Sequence, residues 1–114
     1  MTNYFVDYFA AWESLDVDRL MGWFTDDIAY EDTTIGHGAS GADQMRKFVS
    51  ASFRNVPDAR FVYVSHLATD TAFAVEWVME PMGVRGLSIG ALRDGKISAQ
   101  RDYWNGAKYR VPNT

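Results

Sequence analysis

The sequence predicts an α+β two-layer fold, with three helices packed on one face of a mostly antiparallel sheet. Three observations carry that prediction. Apolar residues recur at helical spacing through the first half of the chain, interrupted by one strand-like segment. The period changes to two from residue 59 onward. Hairpin-type connections then divide the second half into four segments. Helices segregated to one side of such a meander make an α+β layer pair.

Residues 4–15 carry Phe5, Phe9 and Trp12 on one helical stripe, which ends near Ser14-Leu15-Asp16. Asp16 fits the N-cap of a second, short helix holding Leu20, Met21 and Phe24. Ile28-Ala29-Tyr30-Glu31-Asp32 reads as a strand, and a glycine-rich loop from Gly36 to Gly41 follows it. Ser40 or its neighbour can cap a third helix, whose stripe is Met45, Phe48, Val49 and Phe53. Pro57-Asp58 stops it. Strands are predicted over 60–68, 71–80, 85–93 and 96–104. Their connections are Thr69-Asp70-Thr71, Pro81-Met82-Gly83 and Asp94-Gly95-Lys96.

The 114 residues suit one domain, with no internal repeat or linker. Aromatics are 15% of the chain, and Cys is absent, which excludes disulfides, thiol nucleophiles and cysteine metal sites. A net charge of −4 with no basic run argues against nucleic acid and anionic membranes as partners. No apolar run approaches the roughly 18 residues of a membrane span. The first residues lack the basic start and apolar core of a signal peptide, so a cytoplasmic location is expected.

Alternation assigns the strand faces. Phe73, Val75, Trp77 and Met79 share one face, with Glu76 and Glu80 opposite. Ser98, Gln100, Asp102 and Trp104 lie opposite Ile97, Ala99, Arg101 and Tyr103. Neither face of that last strand is simply polar. This predicts helices on one side and a partner subunit on the other, a homodimer through the outer sheet face.

Gly36-His37-Gly38-Ala39-Ser40-Gly41 matches G-x-G-x-x-G, but a dinucleotide site needs repeated βαβ units that this chain lacks. His37 reads as an exposed loop residue and His66 as a partly buried strand residue. They are far apart in sequence, so no metal site is expected. The carboxylates of Asp32 and Asp102 lie among Tyr30, Tyr103 and Trp104. An acid held against aromatic walls favours its neutral form, which suits it to proton transfer near neutrality. A phenol such as Tyr8 or Tyr30 can donate to a developing oxyanion. The bland alternative is that Asp32 caps a turn and Asp102 pairs with Arg101 or Arg85.

These residues resemble the nuclear transport factor 2-like superfamily, which includes ketosteroid isomerases, SnoaL-like polyketide cyclases and limonene epoxide hydrolases. Residues 8–48 resemble the front half of a bacterial ketosteroid isomerase through Tyr8, Phe24-Thr25-Asp26-Asp27, Glu31-Asp32, Gly36, Ser40-Gly41 and Arg46-Lys47-Phe48. Asp94-Gly95-Lys96-Ile97 and Arg101-Asp102-Tyr103-Trp104-Asn105 resemble the last hairpin of the cyclases and epoxide hydrolases. The resemblance implies a cone-shaped fold whose curved sheet encloses a pocket. It gives Asp32 the place of the proton-shuttling base, Tyr8 that of the oxyanion donor, and Asp102 that of a catalytic acid/base. Tyr30 and Asp32 also fall where the hydrolase holds its attacking water. The isomerase's second aspartate, kept protonated there, falls near Ser88 to Gly90, where no acid stands. The hydrolase's Arg and Asp fall on Trp77 and Met79.

Asp32, Asp102, Tyr8 and Tyr30 are therefore the expected catalytic set, with Trp77, Met79, Trp104 and Ser88 as substrate-binding walls. The expected function is a cofactor-independent acid–base enzyme on a small apolar carbonyl compound, an isomerase or cyclase of steroid-, polyketide- or terpenoid-like substrates. The alternatives are a non-catalytic hydrophobic-ligand-binding or dimerisation module, and an epoxide hydrolase.

Overall fold

Asn3 opens the first helix, its side-chain oxygen accepting from the Phe5 backbone N–H at 2.9 Å. In the computed structural model, which describes residues 3–108, this helix, α1, spans Tyr4–Glu13. Leu15 turns the chain with a φ of 58°. Asp16 then caps α2 (Val17–Met21) by accepting from the Arg19 N–H at 3.1 Å, as its sequence position predicts. Asp16→Ala is expected to cost about 1 kcal/mol, read as a lower thermal midpoint.

The remaining elements are β1 (Phe24–Asp32), β2 (His37–Ser40), α3 (Ala42–Asn55), β3 (Arg60–Ala68), β4 (Ala72–Glu80), β5 (Val84–Arg93) and β6 (Lys96–Trp104). A single 3₁₀ turn, Gly106–Lys108, follows. The four segments of the meander fall within one residue of their predicted bounds. The first half needs two corrections. Phe24 begins β1 rather than ending α2, so this strand starts four residues earlier than its apolar run suggested. The glycine-rich segment is not a loop throughout, because residues 37–40 form β2 and pair antiparallel with β1. Gly41, at φ 84°, is the N-cap of α3 and makes no side-chain cap bond. Gln44 instead reaches back to accept from the Ser40 N–H at 2.9 Å.

The sheet runs β2-β1-β6-β5-β4-β3. All its pairs are antiparallel except β1 with β6, which are parallel neighbours. The sheet is curved and open, and the three helices cover its inner face. The core forms there around Phe5, Tyr8, Leu20, Ile28, Met45 and Val49, each 2% exposed or less. No helix among the described residues is long and apolar enough to cross a membrane.

Candidate functional site

Strand register assembles the site. Residues paired across neighbouring strands point to one face, and two rows of the inner face collect the chemistry. One row runs Val75, Ser88, Asp102, Asp32. The next runs Phe73, Gly90, Gln100, Tyr30. The parallel contact of β1 with β6 thus sets Asp32 beside Asp102 although they are distant in sequence.

These rows line a cavity of about 680 Å³ between the sheet, α1 and α3. All eight residues expected at the site line it: Tyr8, Tyr30, Asp32, Trp77, Met79, Ser88, Asp102 and Trp104. Gln100 lines it too and is the polar group the sequence reading passed over. Its position two residues before Asp102, on the same face of β6, was the signal available. Phe48 and Phe61 add aromatic wall, while exposed Ile35, His37, Gln44, Lys47 and Asn55 edge the mouth.

The inner end holds a closed hydrogen-bond network. Ser88 Oγ donates to Asp102 Oδ1 at 2.6 Å, and Gln100 Nε2 donates to the same oxygen at 2.8 Å. The Tyr30 hydroxyl donates to Asp102 Oδ2. Tyr8 donates to Gln100 Oε1 at 3.0 Å, and the Trp77 indole N–H donates to Ser88 Oγ at 2.9 Å. The suggested pairing of Asp102 with Arg101 or Arg85 is absent, because Asp102 turns inward while Arg101 faces the other side of β6. Burial raises the Asp102 carboxyl above its ordinary value, against the lowering effect of the bonds from Ser88, Tyr30 and Gln100, and the nearby Asp32 charge adds to the rise. Burial also raises both phenols, Tyr8 and Tyr30, and the Asp102 charge pushes each further up.

Asp32 is held differently. The Trp104 indole N–H lies 2.9 and 3.0 Å from its two oxygens. Its Oδ1 also accepts from the backbone N–H groups of Thr34 at 3.1 Å and Ile35 at 3.2 Å. The turn-capping role and the cavity position therefore coexist in one residue.

The histidines differ in part from expectation. His37 is exposed but belongs to β2, where it stacks on Phe48 at 5.6 Å. His66 is exposed rather than partly buried, bonds the Tyr63 hydroxyl at 2.7 Å and leans on Phe5. Among the described residues, no three His, Cys, Asp or Glu side chains are grouped to hold a metal ion.

The same overall fold occurs in solved proteins. A SnoaL-like protein of unknown function from Burkholderia thailandensis superposes with a TM-score of 0.79 at 17% identity, over 90% of this chain and 92% of that one. A proposed SnoaL-like polyketide cyclase from Shewanella denitrificans gives 0.77 at 15% identity, over 93% and 90%. A proposed isomerase of the SnoaL-like family from Agrobacterium tumefaciens gives 0.74 at 19%, over 90% and 95%. The curated proteins include no match. At these identities the likeness establishes the fold, that of the nuclear transport factor 2-like cone. The SnoaL-like domain family itself matches residues 5–100, nearly the whole described chain, and the protein belongs to that family.

Proposed function

We propose that the protein is a cofactor-independent acid–base enzyme that isomerises or cyclises a small, largely apolar carbonyl compound of steroid, polyketide or terpenoid type. The observation that carries this reading is Asp102, a carboxyl of raised proton affinity lining a largely apolar cavity. A base of this kind is effective near neutrality because its proton affinity is close to what the working pH demands. Asp102 takes a proton from the carbon beside the carbonyl, the C–H electron pair enters the enolate, and the proton returns to another carbon. Asp32, fixed by Trp104 and its own turn, supplies the second charge that strengthens Asp102 as a proton acceptor. The related proteins described as a polyketide cyclase and an isomerase favour the same class. The test is conversion of 3-cyclohexen-1-one to its conjugated isomer, followed by absorbance, with deuterium uptake from D₂O followed by NMR. Both signals are expected. Their absence, with a rise in thermal midpoint on adding the ketone, identifies a receptor instead.

The same reading extends to a second copy of the chain. Register pairs Val62 with Val78, and Leu87 with Tyr103, on the outer face, where Ile89 and the 81% exposed Leu67 also lie. An apolar patch on a sheet face favours an isologous dimer. Sedimentation is expected to give a dimer that Val62→Glu converts to monomer. A monomeric parent protein refutes it.

A further inference from the structure

The network around Asp102 restricts where a proton can sit. Indole N–H is a donor only, so Ser88 Oγ must accept from Trp77, and its own hydrogen goes to Asp102 Oδ1. The Gln100 amide is fixed as well. A flipped amide would set its oxygen against the carboxylate, whereas the observed one accepts from Tyr8 and donates to Oδ1. Oδ1 therefore receives two hydrogens whose directions are already set. Only Oδ2 has a partner, the Tyr30 hydroxyl, whose hydrogen can turn elsewhere.

With Asp102 ionised, the inner end shows the cavity no free hydrogen. The hydrogens of Tyr8, Tyr30, Ser88, Trp77 and the Gln100 amide all point within the network. We propose that Asp102 and Tyr30 form a one-proton switch, with Gln100 and Ser88 as positioning residues that confine the proton to Oδ2. This rests on the acid–base reading above. When Asp102 abstracts the substrate proton, the C–H bond breaks, an O–H bond forms on Oδ2 and the electron pair passes to the enolate. The new Oδ2–H donates to the Tyr30 oxygen, and the Tyr30 hydroxyl turns to donate to the enolate oxygen. The oxyanion donor thus becomes available only as negative charge develops on the substrate.

The titratable groups facing Asp102 are Asp32 and Tyr30 on β1 and Tyr8 on α1. Lys47 of α3 and His37 of β2 stand at the mouth of the same cavity, and β5 contributes only the non-titrating Ser88. Arg101 and Tyr103 on β6 face away.

The test needs no turnover, so its failure is separable from that of the enzymatic reading. Protein labelled with ¹³C at aspartate Cγ and tyrosine Cζ is titrated by NMR. The Tyr30 signal is expected to move at the Asp102 midpoint. Gln100→Met, near in shape but without the amide donor, is expected to raise that midpoint, and Ser88→Ala is expected to do the same should the first variant fold poorly. An apolar ketone, 2-acetylnaphthalene, then probes the donor. Its affinity is expected to fall as pH rises through the midpoint. Tyr30→Phe should weaken it about three- to tenfold below the midpoint, the worth of one hydrogen bond, and leave it unchanged above. A Tyr30 signal indifferent to Asp102, a midpoint unmoved by both positioning variants, no ketone binding below the midpoint, or an equal Tyr30→Phe effect at every pH overturns the switch.

Discussion

Asp102→Asn is expected to slow ketone isomerisation and deuterium uptake by about 10²–10⁴-fold, the usual contribution of a positioned general base. The fold should survive. Asparagine keeps the shape, its Oδ1 still accepts from Ser88 and Gln100, and its amide can donate to the Tyr30 oxygen. Stability changes in a direction that the carboxyl itself dictates. Burial raises Asp102 above its ordinary value of 3.8, so between 3.8 and that raised value the folded chain binds more protons than the unfolded one. Stability therefore falls as pH rises through that window, and above it the native state bears the whole cost of a buried charge. The Asn variant removes that cost. It is expected to melt above the parent at neutral pH, with the difference shrinking as pH falls through that window toward 3.8. Melting curves at stepped pH read this directly, and an advantage for the parent at neutrality would contradict it.

Gly86→Val is expected to cost about 2–5 kcal/mol, combining overpacking with a broken buried hydrogen bond. Gly86 is the cross-strand partner of Trp77. A Cβ there would lie 2.3 Å from the indole ring, where real Cβ atoms are not found. The ring is rigid and 5% exposed, so relief means moving it out of its seat. That breaks the bond to Ser88 Oγ and with it the fixed direction of the Ser88 hydrogen toward Asp102. The measurement is the thermal midpoint together with near-ultraviolet circular dichroism of the tryptophans. A variant that keeps both would mean the ring has room the structure denies it.

The second half of the chain was legible because its apolar residues recur with a period of two and each turn carries its own chemistry, as in Asp94-Gly95-Lys96. Alternation also set Trp77 on one face with Met79, and Asp102 on one face with Trp104. Residues 24–41 were harder. Phe24 continues the helical spacing of Leu20 and Met21, and nothing local reveals that the helix has already ended at Met21. In β2 the glycines of Gly36-His37-Gly38 masked a short edge strand, which owes its form to pairing with β1 rather than to propensity. Gln100 was visible as a residue but not as a part of the site. An amide has no charge to draw attention, and its importance lies in holding Tyr8 and Asp102 at once. That relation depends on the lateral pairing of β6, which no single strand records.

The parallel contact between β1 and β6 has a consequence for how the molecule comes into being. Tyr30 and its acceptor Asp102 are 72 residues apart. Closing so long a loop is entropically costly and slow, and the contacts that repay it arrive only afterwards. A growing chain emerging from the ribosome carries Tyr8, Tyr30 and Asp32 early and can pair β1 with β2, but the other edge of β1 has no partner until residues 96–104 are made. The chamber is therefore complete only with the last strand. A chain stalled before it would expose two open sheet edges, at β1 and β5, in place of a closed chamber.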